Sequence, residues 1–227
     1  MFLCAICDVE SEQFLPGGED ETVLHELDVV GGGRRENVFC PICYSKDRDR
    51  AVYLFLLHET DIFKKKLTIL HASPSNALKA KLKQIKSAEY LETYLNNNDR
   101  NIQIDLRKIP FPSGFFDLVI ANHVLEHIDN DLQALREIFR VLKTGGRAVL
   151  QVPYSLVLEK TYETDTLNRS KEFGQHDHMR IYGKDYLEKL RTVGFSVNKF
   201  NLKEKYGFEF VKKNAVIEDE IIFDILK

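Results

Sequence analysis

Apolar residues recur along most of the chain in two alternating patterns. Almost continuously apolar runs, such as residues 66–72 and 116–123, predict buried strands, because a parallel strand covered on both faces is apolar throughout. Segments with apolar residues every three or four positions, such as residues 75–85 and 129–146, predict amphipathic helices. Alternation of the two patterns predicts an α/β fold with a doubly wound parallel sheet and right-handed crossovers.

The helix predicted over residues 129–146 has the clearest end signals. Asn130 and the neighbouring acids are typical of a helix start, and Gly145 and Gly146 are typical of a helix end. Ahead of the alternating region, the apolar positions within residues 48–65 predict a further helix that packs onto the sheet.

Residues 1–48 differ from the rest because they hold all four cysteines of the chain. The cysteines form two Cys-x-x-Cys pairs, Cys4 with Cys7 and Cys40 with Cys43. This spacing lets both thiolates of a pair reach one tetrahedral Zn²⁺, and with four thiolates no coordination position stays open, so the zinc is expected to be structural. The alternative is a pair of disulfides or redox thiols, which a reducing compartment disfavours.

Length and charge limit the choice of partners and location. The 227 residues suffice for a small zinc-binding module over residues 1–48 and one α/β domain over residues 49–227. A formal net charge of −3 argues against a surface that coats nucleic acid. No apolar run reaches the roughly 18–20 residues needed to span a bilayer, and no secretory leader is recognisable, so we expect a cytoplasmic protein without a membrane span.

Residues 109–153 contain "PFP" followed by "FDLV", then "HVLEHI", then "EIFRVLKTGG" before the next strand. In this order, the motifs resemble the central part of class I S-adenosylmethionine-dependent methyltransferases. "CPICYSKDRDR" and "EFGQHDHMRIYGKDYLEKL" are similar to a poorly characterised branch in which a cysteine-rich segment precedes the methyltransferase domain. The resemblance implies a Rossmann-like sheet of seven strands, whose last strand, within residues 220–226, runs antiparallel in a hairpin with residues 195–202.

The resemblance also implies bound S-adenosylmethionine and a set of contact positions at the carboxyl ends of the strands, where open α/β sheets bind ligands. The loop after the first strand faces the methionine end, an acid on the second strand binds the ribose, and an acid after the third meets adenine. The matching positions are His71, Ala72 and Ser73 for the loop, Glu92 for the ribose, Asp105 with Leu106 for adenine, and Asn122 for the amino-acid moiety.

The loop after the first strand departs from the family's pattern, because no glycine lies between Leu70 and Leu78. Small residues keep a close approach possible, Pro74 stiffens the turn, and Ser75 or Asn76 can cap the following helix. Two alternatives stay open. The loop is a working variant, or the chain is a catalytically silent, zinc-containing interaction protein on a methyltransferase-like fold.

Three histidines are candidates for catalysis. His123 follows a strand end, whereas His176 and His178 lie in a polar loop that either faces the substrate or is simply solvated. Histidine titrates near neutrality and can act as general base for an oxygen or nitrogen acceptor. His127, four residues after His123, is expected to cap or pack, and a metal site formed by residues 176–178 is a further interpretation. The sequence does not identify the methyl acceptor, for which a small molecule is favoured.

Overall fold

The computed structural model describes residues 1–85, 89–94 and 103–227. Two 3₁₀ turns, Ile62–Lys64 and Leu125–His127, accompany the longer elements. The strands of the described residues are β1 (Phe2–Leu3), β2 (Glu10–Ser11), β3 (Leu15–Gly17), β4 (Arg35–Phe39), β5 (Thr68–Ala72), β6 (Glu89–Thr93), β7 (Phe116–Ala121), β8 (Leu142–Val149), β9 (Tyr162–Glu163), β10 (Arg180–Ile181), β11 (Ser196–Asn201) and β12 (Ile221–Leu226). The helices are α1 (Thr22–Glu26), α2 (Asp47–Glu59), α3 (Asn76–Leu82), α4 (Asp131–Val141), α5 (Arg169–Phe173), α6 (Tyr186–Val193), α7 (Leu202–Tyr206) and α8 (Phe208–Lys213).

Among the described residues, six strands form the main sheet, in the order β11, β12, β8, β7, β5, β6. The last four are parallel to one another, whereas β12 runs antiparallel to both of its neighbours. The antiparallel last strand and its hairpin with β11 are therefore confirmed. The third strand of the alternating pattern, which the sequence predicts at residues 101–106 ahead of the proposed adenine contact, falls partly outside the described residues, since 101 and 102 are not among them. Residues 103–106 are not in a strand.

Alternate side chains of the central strands enter two different hydrophobic cores. Leu70 belongs to the core that contains Leu135 of α4 and Leu190 of α6, and Ile69 belongs to the core that contains Leu56 of α2 and Leu78 of α3. Helices therefore cover both faces of the sheet, which is the doubly wound arrangement that the sequence predicted.

Helix α4 begins as predicted but ends earlier. The Asn130 side chain accepts a hydrogen bond from the backbone N–H of Gln133 at 3.0 Å and caps the helix. The predicted end at the two glycines is wrong, because the helix ends at Val141 and the next residue, Leu142, already pairs with Phe116 of β7. Residues 143–146 form an irregular excursion in which the β7–β8 register shifts, so strand pairing ends this helix.

The cysteine segment packs on the sheet through the same core as α2 and α3, which contains Cys4 and Phe14. Arg50 of α2, fully buried, donates to the carbonyl oxygens of Ser45 at 2.6 Å, Val38 at 3.2 Å and Asn214 at 3.0 Å. One side chain thereby joins the cysteine segment to the C-terminal region, and the expected boundary at residue 48 falls in the first turn of α2. No helix in residues 1–85, 89–94 and 103–227 is long and apolar enough to cross a membrane.

Candidate active site

The loop after β5 turns sharply without glycine because a serine takes the left-handed conformation. Ser73 has φ +45°, and its N–H donates to the carbonyl oxygen of Thr93 at 2.7 Å. Two residues on, the Ser75 hydroxyl accepts from the N–H of Leu78 at 3.3 Å and caps α3, as the sequence allowed. The backbone conformation with positive φ, which glycine usually adopts, is therefore present in this loop at Ser73.

A cleft of about 800 Å³ opens beside this loop, at the carboxyl ends of β5 and β7. This is where open α/β sheets bind their ligands. Its wall includes Ser73, Ile104, Asp105, His123, Ile128 and His176. The structure thus brings together four of the residues predicted for the site, namely Ser73, Asp105, His123 and His176.

A smaller cavity of about 200 Å³ shares Ser73 and His123 with the cleft. Asn122 lines it, and the Oδ1 atom of Asn122 is buried with no hydrogen-bond partner among the described residues. A buried unpaired acceptor is costly unless something binds it. Lys46 and Arg48, at the start of α2, line the same cavity. An acceptor beside two basic side chains is complementary to the ammonium and carboxylate groups of an amino acid.

Asp105 lies on the cleft wall with its carboxylate paired to Arg107, at 2.9 Å between Oδ2 and Nη2. Hydrogen bonds from Arg107 lower the pKa of Asp105, so this acid is charged at neutral pH. Arg107 also pairs with Asp129 across the cleft at 2.6 Å. Leu106, next along the chain, has its side chain buried in the core that contains α4.

Three other predicted contact residues lie outside the large cleft. Glu92 of β6 is paired with Lys79 at 3.1 Å and Lys83 at 3.2 Å, and the lysine hydrogen bonds lower its pKa against the raising effect of partial burial. Ala72 is packed in the core. His71 lines the smaller cavity, where burial lowers its pKa to about 3 and keeps the ring neutral.

The motif "HVLEHI" contains a 3₁₀ turn, Leu125–His127, and His123 has φ +56°. Because the backbone between them is not α-helical, His123 and His127 do not share a helix face. Both nevertheless line the cleft, because the turn bends the chain back over the end of β7.

Two of the three candidate catalytic histidines surround a buried glutamate. His123 Nδ1 lies 3.2 Å from Glu126 Oε1, and His178 Nε2 lies 3.9 Å from the same oxygen. Burial lowers the pKa of His123 well below its ordinary value and that of His178 to about 4, whereas it raises the pKa of Glu126 to about 8. Both imidazoles are neutral near pH 7 and weak as bases. His176, the third candidate, is exposed on the cleft wall.

Sequence reasoning missed Glu126, Lys46 and Arg48. The signal for Glu126 was available, since an acid between two histidines in an otherwise apolar run is exceptional. Lys46 and Arg48 stand in "KDRDR", directly after the second cysteine pair, and their place in the cavity depends on how the cysteine segment packs against the sheet. That packing is a long-range property which local spacing does not encode.

The two cysteine pairs form matching turns. The N–H of Asp8 donates to the carbonyl oxygen of Cys4 at 2.8 Å, and the N–H of Tyr44 donates to the carbonyl oxygen of Cys40 at 3.0 Å. Asp8 and Tyr44 both have positive φ, +59° and +56°. Each turn therefore presents its two thiols in the same way, as a shared tetrahedral ion requires.

The sulfur positions fit a metal better than disulfides. Cys4 and Cys43 have their sulfurs 3.6 Å apart, Cys7 and Cys40 have theirs 3.7 Å apart, and all four sulfurs lie within 4.8 Å of one another. A tetrahedron with metal–sulfur bonds of about 2.3 Å has edges of about 3.8 Å, whereas a disulfide bond is about 2.0 Å long. All four cysteines are free.

The strand order, the antiparallel β12 and the cleft at the carboxyl ends define a Rossmann-like fold of the class I methyltransferase type. Residues 59–150 match the family model described as a methyltransferase domain. The resemblance to class I S-adenosylmethionine-dependent methyltransferases drawn from the sequence is therefore confirmed.

Individual relatives agree with this class over parts of the chain. The chain is 38% identical over 60 residues to the ubiquinone/menaquinone biosynthesis C-methyltransferase UbiE of Coxiella burnetii, which covers 26% of this chain and 24% of the relative. The matches to such curated relatives span between 24% and 35% of their lengths.

Solved structures show the same fold at low sequence identity. The [4+2]-cyclase SpnF has a TM-score of 0.56 at 16% identity, with 78% of this chain and 79% of that chain covered. A SAM-dependent methyltransferase from Archaeoglobus fulgidus has a TM-score of 0.51 at 14% identity, with 79% and 94% covered. At this identity the likeness concerns the fold alone.

Proposed function

We propose that the chain is an S-adenosylmethionine-dependent methyltransferase that acts on an oxygen or nitrogen atom of a small molecule. The observation that carries the proposal is the buried, unpaired Oδ1 of Asn122 at the end of β7, beside Lys46 and Arg48. An ammonium group on Asn122 and a carboxylate on the two basic side chains would satisfy all three. These are the two charged groups of the cofactor's methionine end.

The residues of the large cleft would hold the other end of the cofactor. Asp105, kept charged by Arg107, faces the cleft with half of its side chain exposed, at 49%, and can accept from an exocyclic amine. Ile104 and Ile128 supply apolar surface for a flat base. Glu92 would have to leave two lysines before it could bind a ribose, so its role is the weakest part of the proposed contact set.

His123 marks the point where cofactor and acceptor would meet, because it lines the cleft, the Asn122 cavity and a third cavity of about 170 Å³. When bound, S-adenosylmethionine supplies a methyl group on a positively charged sulfur. The chain's own residues orient an acceptor for in-line attack, which supplies most of the rate enhancement that such a site can offer. His176, the exposed candidate, is the proposed general base, since burial makes His123 and His178 weak bases.

The third cavity supports a small-molecule acceptor. It lies between residues 29–33 of the cysteine segment and residues 173–178, and its volume suits a compact molecule. Because Lys46 and Arg48 line cavities, these basic residues supply no argument for a nucleic-acid surface. The curated relatives named above act on carbon, but their matches are too short to carry an acceptor over to this chain.

We also propose that Cys4, Cys7, Cys40 and Cys43 hold one structural zinc ion. The matching turns and the sulfur spacing support it, and the Ser45 hydroxyl lies 3.3 Å from the Cys4 sulfur and 3.2 Å from that of Cys43. Ser45 in turn joins the cysteines to Arg50, so the metal site would be anchored to α2.

The test is thermal unfolding of the chain with S-adenosylhomocysteine, the demethylated cofactor. At 100 times its dissociation constant, a ligand stabilises the folded state by about 2.7 kcal/mol. We expect a rise in melting temperature for the native chain, and loss of that rise for Asn122→Leu and Asp105→Ala. Asp219→Ala, which changes an exposed acid remote from the cleft, is the matched control and should keep it.

The same titration decides against the proposal if the native chain shows no shift at millimolar ligand. That outcome would favour the catalytically silent interaction protein. An unchanged shift in Asn122→Leu would remove the observation on which the proposal depends.

A further inference from the structure

A second group of metal-ligand side chains lies apart from the cysteines. Glu126, His127 and His178 each place one nitrogen or oxygen atom within 4.8 Å of the others'. The Glu126 side chain is fully buried, and neither of its carboxylate oxygens has a hydrogen-bond partner among the described residues. A buried acid without a partner is costly, so its place in the fold requires an explanation.

The Nδ1 atoms of both histidines have partners outside the cluster's carboxylate. His178 Nδ1 lies 3.2 Å from the carbonyl oxygen of Phe173, and His127 Nδ1 lies 3.2 Å from the carboxylate of Asp177. Donation to a carbonyl or carboxylate fixes the tautomer and leaves Nε2 with a free lone pair. Histidines that coordinate metals usually have this outer partner, because it holds the ring in position.

A hydrogen-bonded packing arrangement does not explain the same geometry. With Nδ1 as donor, the Nε2 atom of His178, 3.9 Å from Glu126 Oε1, has no proton to give it. His123 Nδ1 comes within 3.2 Å of Glu126 Oε1 without the geometry of a hydrogen bond. Within the described residues, no donor in hydrogen-bond geometry meets either carboxylate oxygen of Glu126, so the cluster offers several unused ligand atoms close together.

We propose that Glu126, His127 and His178 form a binding site for a divalent metal ion, separate from the four-cysteine site. Two imidazole nitrogens and one carboxylate oxygen suit borderline ions such as Mn²⁺, Fe²⁺, Co²⁺ and Zn²⁺, whereas four thiolates select zinc. His123, at 3.2 Å from Glu126, completes the polar rim.

The location of the proposed metal site suggests a function for the ion. His127 lines the large cleft and His178 lines the third cavity, so an ion between them faces the region proposed for the acceptor. Three protein ligands leave at least one coordination position open. That position suits an oxygen atom of the acceptor. This role rests on the proposed function, whereas the binding of the metal ion does not depend on it.

The experiment is a titration of the zinc-loaded chain of 227 residues with Mn²⁺, in which electron paramagnetic resonance measures the free ion. Mn²⁺ is chosen because thiolate sites bind it poorly, so the cysteine site stays filled with zinc. We expect one Mn²⁺ per chain at submillimolar concentration. Glu126→Gln and His178→Ala should each weaken binding at least about tenfold.

His176→Ala is the matched control, since His176 is exposed two residues from His178, and it should bind Mn²⁺ as the native chain does. No binding by the native chain, or equal binding by Glu126→Gln and His178→Ala, would overturn the site. Glu126→Gln preserves side-chain volume, and circular dichroism checks that each variant is folded. Binding of Mn²⁺ without a shift by S-adenosylhomocysteine would reject the proposed methyltransferase activity alone and leave the metal site intact.

Discussion

At the scale of single residues, the decisive feature is a serine in a conformation that serine rarely adopts. Ser73 has φ +45° at the mouth of the cleft, where the family's pattern has glycine. A non-glycine residue in this region costs on the order of 1 kcal/mol. Core packing of Ala72 on one side and the Ser75 cap on the other hold the backbone there.

The strain at Ser73 predicts that two substitutions affect the free energy of unfolding differently. Ser73→Gly should keep the S-adenosylhomocysteine shift and change the free energy of unfolding by less than about 1 kcal/mol, because relief of strain offsets the greater freedom of the unfolded chain. Ser73→Val should lower it by about 1–2 kcal/mol, since a β-branched residue fits positive φ poorly. Urea unfolding measures both, and a Val variant as stable as the native chain would contradict the argument.

Whether a site residue could be predicted from the sequence depends on whether a local or a long-range interaction positions it. Ser75 and Asn130 were identified as possible caps because capping involves residues two or three positions away. Asp105 was identified from the family resemblance and His123 from its place after a strand end, and both line the cleft because strand ends converge in this fold. Arg48 was missed because its place in the cavity depends on packing between distant segments, which one sequence does not reveal, whereas the position of Glu126 between two histidines was visible in the sequence and was overlooked.

At the scale of elements, α4 illustrates what local signals decide. Its start is set by the Asn130 side chain, whereas its end is set by the pairing of Leu142 with Phe116. A helix cap is a local interaction and can be predicted from the sequence. The strand partner of Leu142 is Phe116, 26 positions earlier, and a pair of glycines gives no information about this pairing. The same reasoning explains why strand identities were predicted better than helix ends.

The cap of α4 predicts a graded loss of stability. Asn130→Ala should lower the free energy of unfolding by about 1 kcal/mol, because the N–H of Gln133 loses its acceptor, whereas Asn130→Gly should cost only a few tenths of that. Arg136→Ala, an exposed change on the same helix, is the control and should be nearly neutral. Equal losses in the Ala and Gly variants would show that the cap contributes little.

At the scale of the whole molecule, the cysteine segment and the sheet share one core. Cys4 and Phe14 pack in the same cluster as Leu78 of α3, and Arg50 binds carbonyl oxygens on both sides. The predicted division at residue 48 stays a prediction, but the shared core means that neither part can lose its structure without exposing apolar surface of the other.

Removal of the proposed zinc should therefore destabilise the entire chain. We expect about one zinc atom per chain in protein purified without added metal, and Cys43→Ser should lack it. After chelation, backbone and aromatic circular dichroism should be lost together in a single transition at lower temperature, because the core is continuous. Two separate transitions, with the sheet unaffected, would contradict a shared core, and a zinc-free native chain would exclude the four-thiolate site.

Lys46 and Arg48 follow the second cysteine pair by only a few positions and line the cavity assigned to the cofactor's methionine end. An ion that fixes the cysteine turns would also fix the two basic side chains that are proposed to bind the cofactor. If the ion raises the affinity for the cofactor by a certain factor, thermodynamic linkage requires that the cofactor raises the affinity for the ion by the same factor. In a cell, a low concentration of zinc would lower the fraction of chains that bind the cofactor, and a low concentration of the cofactor would lower the fraction that bind zinc. The reaction rate would then depend on the zinc concentration as it depends on the concentration of a substrate.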